Sequence, residues 1–397
     1  MTWLSLMLAS FGGIFYVLVG YPLTVIGLSR VFGDKRQAPQ ILTDDLPGVT
    51  VVVAAYNEAT VIADRIANLL SLTYPADRLS ILVVADGSDD ETVDIVRSFD
   101  DKRVAVTAEG PRLGKSAALS RSFPLVETDL VVFSDANNSY EADALARLVA
   151  HFADPRVGAV TGAKRVRPGR TTVDAGEGLY WRYESAIKES ESRIGSCVAV
   201  TGEMLAVRTA LLREIPHFVI NDDFFIAMGV IGSGSDVVYE PAAVSWELAS
   251  ASVSDDRLRR ERIVAGRVQA IAMAPALLPW RRPVVTWQVI SHKLLRPLVP
   301  ALAAVGFASS LMALAGSARR GTGRLAPLLA ILGQGVFYGA AAAGRRSEAP
   351  GLVPKVAAYV VDSNRSSLIG AISYLRGQRN AMWAKAERQA GESVDTP

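Results

Sequence analysis

Apolar runs without charge lie towards both ends of the chain and enclose a long charged middle. Residues 1–29 carry no charged side chain, and the stretch 3–28 is almost wholly apolar. At about 1.5 Å per residue, a helix of this length spans a hydrocarbon core of ~30 Å. Basic residues follow this run instead of preceding it. The pattern therefore predicts an uncleaved N-terminal transmembrane helix, residues 1–30, with the following chain in the cytoplasm.

Two further uncharged runs, 297–318 and 325–344, each have room for one membrane helix. The stretch 351–375 is interrupted by charged residues, which predicts an interfacial helix, with a polar-lined fourth span as the alternative. A C-terminal region of transmembrane and interfacial helices is thus predicted over 294–375. Residues 376–397 then form a tail.

Arginines interleaved with Ile, Val, Leu and Trp occupy the segment 256–293, which precedes these runs. Interleaving of this kind is typical of an amphipathic segment that lies on an anionic cytoplasmic leaflet. Membrane lipids are therefore predicted partners of this interface region.

The middle of the chain, 45–255, alternates strand-like runs with helical patterns. The runs 49–54, 81–85, 104–107 and 130–133 are apolar throughout instead of alternating with polar residues. A parallel sheet covered on both faces requires strands of this kind. The alternation of strands and helices then predicts a cytoplasmic α/β domain with a doubly wound sheet.

Composition narrows the class of protein further. The 397 residues include 42 Lys plus Arg and 40 Asp plus Glu, a net charge of +2, which gives no general support for a nucleic-acid partner. Half of the residues are hydrophobic and 21% are charged, which favours a membrane protein with a soluble domain. One cysteine and three scattered histidines cannot form an internal disulfide or a Cys/His zinc site.

Polar clusters follow three of the four predicted strands, at 56–58, 86–90 and 135–138. Ligands of doubly wound sheets bind beyond the carboxyl ends of the strands. Turn chemistry explains any one cluster, since turns favour Asp, Asn, Ser and Gly, but three at adjacent strand ends favour a binding site. The glycines of a dinucleotide-binding loop do not follow the first strand, and the phosphate loop of P-loop NTPases is incomplete, so both of those functions are excluded.

Two pairs of polar residues indicate possible chemistry. Asp135 and Asn137 are two residues apart at a strand end, so both point to one side and can hold a divalent cation against a nucleotide diphosphate. Lys115, in a glycine-bearing loop, would add positive charge near the same phosphates. Asp222 and Asp223 lie between apolar flanks, which is typical either of a general base or of a helix N-terminus.

Taken in order, these residues resemble the inverting family 2 glycosyltransferases with a GT-A fold, a Rossmann-like and mostly parallel α/β domain. The resemblance covers about residues 48–270 by motif, and its branch looks like the membrane-embedded synthases related to cellulose, hyaluronan and poly-N-acetylglucosamine synthases. It implies a nucleotide-sugar site, a metal site, an acceptor-side segment and a catalytic base. The matching residues are Ala55, Tyr56, Asn57, Glu58, Asp86, Gly87 and Lys115 for the nucleotide sugar, Asp135 and Asn137 for Mg²⁺ or Mn²⁺, Gly202 and Glu203 for the acceptor side, and Asp222 beside the base Asp223.

The sequence departs from the family pattern at two points. Asn137 replaces a carboxylate, which lowers the charge of the metal site. The family's Gln-x-x-Arg-Trp motif aligns with residues 259–263, which keep Arg262 but lack the Gln and the Trp. That Trp helps form the acceptor end of the channel in processive members. Arg259 and Arg262 are predicted substrate contacts, with lipid head groups as the alternative partners.

The resemblance implies a hexosyltransferase of the plasma membrane with a cytoplasmic catalytic domain. It would transfer a sugar with inversion from a nucleotide sugar, such as a UDP-sugar, to a growing β-linked polysaccharide. Two alternatives stay open at this point. One is a single transfer to a membrane lipid, and the other is a nucleotide-sugar-binding assembly subunit without turnover.

Overall fold

The computed structural model describes residues 2–34, 46–108, 110–166, 174–247, 253–320, 323–347 and 351–377. The predicted tail, 376–397, lies outside these ranges except for its first two residues. Within them, the middle of the chain folds into one mixed sheet with helices on both faces. The two ends of the chain contribute long apolar helices.

The described ranges contain eight strands in one sheet, in the order β3-β2-β1-β4-β7-β6-β8-β5. Their bounds are β1 Val49–Ala55, β2 Leu79–Ala85, β3 Val104–Thr107, β4 Leu130–Asp135, β5 Asn138–Tyr140, β6 Val157–Val166, β7 Leu205–Arg208 and β8 Asp236–Glu247. Strands β3, β2, β1 and β4 are mutually parallel, and β6 is parallel to β8. Strand β7 is antiparallel to β4 and β6, and β5 is antiparallel to β8. The predicted α/β class with a mostly parallel sheet is confirmed.

Strand β1 explains why the sheet is covered on both faces. All seven of its residues are buried. Val52 and Ala54 pack into the core on one face, whereas Val51 and Val53 pack into the core on the other. Because neighbouring side chains of a strand point to opposite faces, a strand that is apolar at every position needs helices on both sides.

Helices occupy most of the remaining described residues. Their bounds are α1 Trp3–Phe15, α2 Tyr21–Phe32, α3 Ile62–Leu70, α4 Thr92–Arg97, α5 Lys115–Ser122, α6 Ala144–Ala150, α7 Asp174–Ile194, α8 Asp222–Gly232, α9 Val253–Leu277, α10 Pro283–Gln288, α11 Val299–Arg320, α12 Leu325–Arg346 and α13 Leu352–Leu375. Two π-helical turns, Tyr16–Gly20 and Val289–Leu294, continue α1 into α2 and extend α10. Helix α5 starts at Lys115 and α8 starts at Asp222, so both begin at residues predicted for the site.

Three helical runs in the described ranges are long and apolar enough to cross a membrane: Trp3–Phe32, Pro283–Gly316 and Leu325–Arg346. The first and third coincide closely with uncharged runs of the sequence. The second begins at Pro283, within the predicted interface region 256–293, and includes Lys293 and Arg296 ahead of the uncharged run. Helix α13, which covers the interrupted stretch 351–375, is not among them and packs along α12 and α9. The first run joins the charged domain through α2, where Tyr21 and Val25 pack against Ile187 of α7.

Candidate active site

The predicted site residues lie where the parallel strands β1, β2 and β4 end. Register pairs Ala55 with Ala85 and Ala54 with Asp135. The clusters that follow these strands therefore meet at one edge of the sheet. This is the edge at which doubly wound sheets bind ligands.

The loop after β1 is tied to the loop after β2 by side-chain hydrogen bonds. Asn57 has a φ of 53°, a conformation that Asn tolerates better than most residues. Its Nδ2 donates to Asp89 Oδ1 at 2.6 Å, and the Asp89 backbone N–H donates to Asn57 Oδ1 at 3.0 Å. The backbone N–H of Glu58 donates to Thr92 Oγ1 at 2.8 Å. Residues 57 and 58 are thus held in place by the neighbouring loop.

Asp86 is fully buried and holds the loop that precedes α5. Its carboxylate accepts the backbone N–H groups of Leu113 at 3.1 Å and Gly114 at 2.7 Å, and it forms an ion pair with Arg121 at 2.8 Å. Gly87 has a φ of 71°, and a Cβ there would lie 3.0 Å from Arg112 Cβ. These contacts show that Asp86 stabilises the loop. Its predicted contact to the nucleotide sugar stays a prediction.

Arg112 covers the aromatic ring that follows β1. Its guanidinium carbon lies 3.6 Å from the centroid of the Tyr56 ring, a cation–π contact. The stacked pair lies beside Gly87 and the Asp86 loop, so the predicted nucleotide-contact residues from Ala55 to Gly87 form one connected group.

A cavity of about 230 Å³ lies beside this group and is lined by most of the other predicted residues. These are Lys115, Asp135, Gly202, Glu203, Asp222, Asp223, Arg259 and Arg262. The cavity lining does not include Asn137 or the residues 55–58, 86 and 87. The structure therefore separates the predicted residues into a cavity group and a loop group.

Lys115 connects two carboxylates of the cavity. Its Nζ lies 2.5 Å from Asp135 Oδ1 and 3.8 Å from Asp222 Oδ2. Burial opposes the charge of Asp135, but the Lys115 ammonium outweighs it and lowers the pKa of Asp135 to about 2. Burial raises the pKa of Asp222, and the neighbouring carboxylates Asp223 and Asp135 raise it further against the opposing effect of Lys115. Asp135 is thus held as an anion, whereas Asp222 is more readily protonated.

A second charged group forms around Lys164, a buried lysine on β6. Lys164 Nζ donates to Glu203 Oε2 at 2.8 Å and pairs with Glu247 at the end of β8. Glu247 also accepts from Arg259 at 3.1 Å and from Asn137 Nδ2 at 3.1 Å. Burial and the adjacent carboxylates Glu247 and Asp135 raise the pKa of Glu203 against the effect of Lys164.

Asp223 lies in the first turn of α8, at the cavity wall. Its Oδ1 accepts the backbone N–H of Phe224 at 2.7 Å. A Cβ at Gly202 would lie 3.0 Å from Asp223 Cβ, so a larger residue there would crowd the aspartate. The structure confirms that this pair begins a helix and shows that both residues line the cavity. The general-base role stays a prediction.

Comparison with known proteins identifies the class of this site. The family described as Glycosyltransferase like family 2 matches residues 47–266, more than half of the chain. The chain belongs to this glycosyltransferase family. The predicted resemblance is therefore confirmed, and with it the GT-A fold.

The chain is similar to two curated relatives and to one solved structure. The chain is 27% identical over 220 residues to the poly-beta-1,6-N-acetyl-D-glucosamine synthase of Staphylococcus aureus, covering 54% of this chain and 53% of the relative. It is 30% identical over 220 residues to the probable glycosyltransferase YdaM of Bacillus subtilis, covering 51% of each. The chain thus spans about half the length of these curated relatives. The mannosyltransferase PcManGT from Pyrobaculum calidifontis, solved with GDP-Man and Mn2+, has a TM-score of 0.71 and 25% identity, covering 95% of this chain and 98% of that one.

Asp135 ends β4 and lines the cavity, whereas Asn137 lies in the turn before β5 and does not line it, so the extended geometry predicted for this pair is not observed. Both side chains carry oxygen atoms of the kind that a divalent cation binds. Asp135 supplies a carboxylate, and Asn137 uses its Nδ2 towards Glu247, which leaves its amide oxygen as a ligand. One or two protein oxygen ligands are the usual protein share of a Mg²⁺ site that binds nucleotide phosphates. The described residues contain no group of three or more His, Cys, Asp or Glu side chains arranged for a metal. A metal at this glycosyltransferase site would therefore depend on the phosphates for further ligands.

The cavity also contains polar residues that the sequence did not assign to the site: Lys164, Trp181, Glu184, Lys188, Arg267 and Lys293. Two of them, Arg267 and Lys293, fall in the predicted interface region 256–293. Lys164 could have been noticed in the sequence, because it is a charged residue that directly follows the largely apolar run Val157–Ala163. The others lie on helices whose polar residues resemble any solvated face in the sequence. Their meeting depends on how α7, α9 and the second π-helical turn pack around the sheet.

Proposed function

We propose that this family 2 glycosyltransferase transfers a hexose with inversion from a nucleotide sugar to a hydroxyl group of an acceptor at the membrane. The observation that carries the proposal is the position of Asp223, at the cavity wall with Asp222 and Lys115 beside it. A carboxylate at this position can accept the proton of a hydroxyl nucleophile, while the cations of the cavity face the leaving group.

In this reaction the acceptor oxygen forms a bond to the anomeric carbon as the bond from that carbon to the diphosphate oxygen breaks. Asp223 takes the proton, and the nucleoside diphosphate leaves with the electron pair. Lys115 and Arg262 would stabilise negative charge on that leaving group. Mg²⁺ or Mn²⁺, held by Asp135 and Asn137, would add charge neutralisation at the diphosphate when bound. One displacement inverts the anomeric carbon, so an α-linked donor yields a β-linked product.

Different observations favour two acceptors. A growing polysaccharide is supported by the similarity to the poly-beta-1,6-N-acetyl-D-glucosamine synthase, although that similarity spans about half of the relative. A single transfer to a membrane lipid is supported by Ile263, which stands where processive members have a Trp. The length of the product, read by mass spectrometry, distinguishes the two.

The test of the activity uses the purified full chain in neutral detergent with bacterial lipid extract as acceptor source. A panel of UDP- and GDP-sugars is added with Mg²⁺ or Mn²⁺, and released nucleoside diphosphate is measured. Release from one donor that requires the lipid extract is expected. Binding of a donor without any release, in several extracts, would instead support the assembly-subunit alternative.

We further propose that the N-terminus is extracytoplasmic and that residues 30 to about 290 are cytoplasmic, from the charge asymmetry around the first helix. The buried Cys197 is replaced by Ala, and single cysteines are placed at the exposed positions Thr2 and Ser98. An impermeant thiol reagent added to intact cells should label Thr2→Cys and spare Ser98→Cys. The reverse labelling would overturn this orientation.

A further inference from the structure

A second set of cations lies in the cavity, apart from the pairs formed by Lys115, Lys164 and Arg259. Of the described residues that line the cavity, seven are Lys or Arg and five are Asp or Glu. Lys188 of α7, Arg267 of α9 and Lys293 of the second π-helical turn belong to this cationic excess. We call these three residues the basic subsite.

The basic subsite has few partners within the protein. Lys188 Nζ donates to the hydroxyl of Thr201 at 3.1 Å. Lys293 Nζ lies 5.8 Å from the centroid of the Phe224 ring. Within the described ranges, neither Arg267 nor Lys293 has a carboxylate within ion-pair distance. Arg267 and Lys188 repel Lys293 electrostatically, whereas Asp223 and Glu184 attract it from beyond ion-pair distance.

Two nearby carboxylates, Glu184 and Glu191, are already engaged elsewhere. Glu184 binds Arg296 with one oxygen and hydrogen-bonds His292 Nε2 at 3.1 Å with the other. Glu191 contacts Tyr21 and His292 and accepts the backbone N–H of Val198 at 3.2 Å. Clustered cations in a half-dry cavity are costly unless an anion joins them. The arrangement is therefore complementary to an anionic ligand.

The basic subsite flanks the proposed base. Thr201, the partner of Lys188, precedes Gly202, which packs against Asp223. Phe224, which Lys293 approaches, directly follows Asp223. An acceptor that presents a hydroxyl to Asp223 would thus bring its neighbouring atoms to these cations.

The basic subsite also adjoins the membrane region. Lys293 and Leu294 line the cavity and belong to Pro283–Gly316, a run long and apolar enough to cross a membrane. A ligand that reaches the cavity along this helix can keep an apolar anchor in the bilayer.

We propose that Lys188, Arg267 and Lys293 bind the phosphate of a lipid acceptor, whose nearby hydroxyl then receives the sugar. The inference rests on the proposed glycosyl transfer and names its acceptor class. The hydroxyl proton passes to Asp223, the hydroxyl oxygen bonds to the anomeric carbon, and the nucleoside diphosphate departs; the acceptor phosphate is unchanged. A phospholipid head group and a lipid-linked sugar phosphate share this chemistry.

The test measures lipid binding directly, using native mass spectrometry of the full chain in neutral detergent. The probes are short-chain phosphatidylglycerol, a polyprenyl phosphoryl sugar, a neutral diacylglycerol and glycerol 1-phosphate. One of the two phosphate lipids should bind and so identify the source, whereas the neutral lipid and the soluble phosphate should bind weakly. Equal binding of the neutral lipid, or binding of neither phosphate lipid, would overturn the proposal.

Substitutions in the basic subsite test whether the phosphate lipid binds there. Lys293→Gln and Arg267→Gln should each weaken the phosphate lipid by about 10- to 100-fold, the usual effect of one charge-assisted contact. Lys293→Arg should retain most of the affinity, and Arg281→Gln, at an exposed arginine, is the matched control. Unchanged lipid affinity in both Gln variants, or a loss of nucleoside diphosphate affinity instead, would refute the assignment. Lipid binding without any sugar transfer would contradict the proposed function and leave this inference standing.

Discussion

Two buried carboxylates of this glycosyltransferase have opposite surroundings. Asp86, in the loop group, is 0% exposed and receives two backbone N–H groups and Arg121. Glu203, in the cavity group, is 5% exposed, and its Oε1 has no hydrogen-bond partner within the described part of the chain. The loops after β1 and β2 are therefore complete without a ligand. Among the described residues, the cavity keeps a buried polar atom without a partner, and under the proposed function substrate groups would pair with it, since buried polar groups are usually paired.

The difference between Asp86 and Glu203 indicates which buried groups stabilise the fold and which are left for a ligand. Satisfied groups such as Asp86 fix the backbone that surrounds a site before any ligand arrives. Incompletely satisfied groups such as Glu203 cost stability in the free protein and gain interactions when substrate binds. Substitutions in the two groups should therefore affect different measurements.

The largest expected effect is on transfer in Asp223→Asn. Asn keeps the shape of Asp but cannot accept the proton of the acceptor, so the rate should fall by about 10²–10⁴-fold. Affinity for the nucleotide should change little, because Asp223 does not touch the loop group. Asp222→Asn is the matched control and should lose less, since an Asn can still begin a helix. Small and equal losses in both variants would place the base elsewhere, with Glu203 as the next candidate.

A second large effect is expected for the metal ligand. Asp135→Ala removes a carboxylate held as an anion by Lys115, so activity should fall by about 10²–10³-fold and Mn²⁺ should no longer raise the melting temperature. The fold should persist, because Asp135 is the last residue of β4. Excess chelator should abolish transfer by the parent protein. Full turnover in chelator would remove the metal from the mechanism.

Asp86→Asn should act on stability instead. The neutral amide keeps one acceptor oxygen but weakens the contacts to Gly114 and Arg121 and leaves the arginine without its carboxylate. A loss of about 2–3 kcal/mol is expected, seen as a lower melting temperature in detergent. Glu91→Gln, at an exposed position just after the same loop, should cost less than about 0.5 kcal/mol. Equal melting temperatures for the two variants would show that Asp86 does not stabilise the loop group, and the proposed difference from the cavity group would be wrong.

The smallest effect concerns the pH dependence of stability at Glu203. Its pKa is raised by burial, so the folded state holds the proton more tightly than the unfolded state does. The stability from this group is present below the ordinary pKa of 4.5 and is lost as pH rises through the raised pKa. Glu203→Gln cannot ionise, and should be about 1 kcal/mol more stable than the parent at pH 7 and equal to it at pH 4.

Glu247 provides the control of opposite sign. Burial opposes its charge, but Lys164 and Arg259 outweigh this and lower its pKa to about 2. Its contribution to stability is present above pH 4.5 and is lost as pH falls through about 2. Glu247→Gln should therefore be less stable than the parent at pH 7. If both Gln variants shifted the melting temperature in the same direction, the proposed difference between the two carboxylates would be wrong.

Much of the fold could be predicted from local patterns. The four apolar runs became β1, β2, β3 and β4, and the three uncharged runs became three helices able to cross a membrane. The antiparallel strand β7, Leu205–Arg208, was missed, although it is as long as the predicted strand β3. Strands β6 and β8 were missed as well, although their pairing forms the far half of the sheet.

The candidate site was predicted in part, and the reason differs between its residues. Asp135 and Asp223 were found because a strand end and a helix start are both visible in the sequence. The partners of Asp86 were not predicted, since Leu113 and Arg121 reach it only when α5 packs beside β1 and β2. The basic subsite was missed for the same reason.

The sequence by itself determined where the chain is apolar, where it turns and which polar residues follow each strand, because these patterns depend on residues close together in the chain. Only the tertiary structure decided which charges meet. Lys164, Glu203 and Glu247 are far apart in the sequence, and they converge because β6 pairs with both β7 and β8. Their burial, and hence the opposite pKa shifts of Glu203 and Glu247, follows from that convergence, since a charge is perturbed by its neighbours in space.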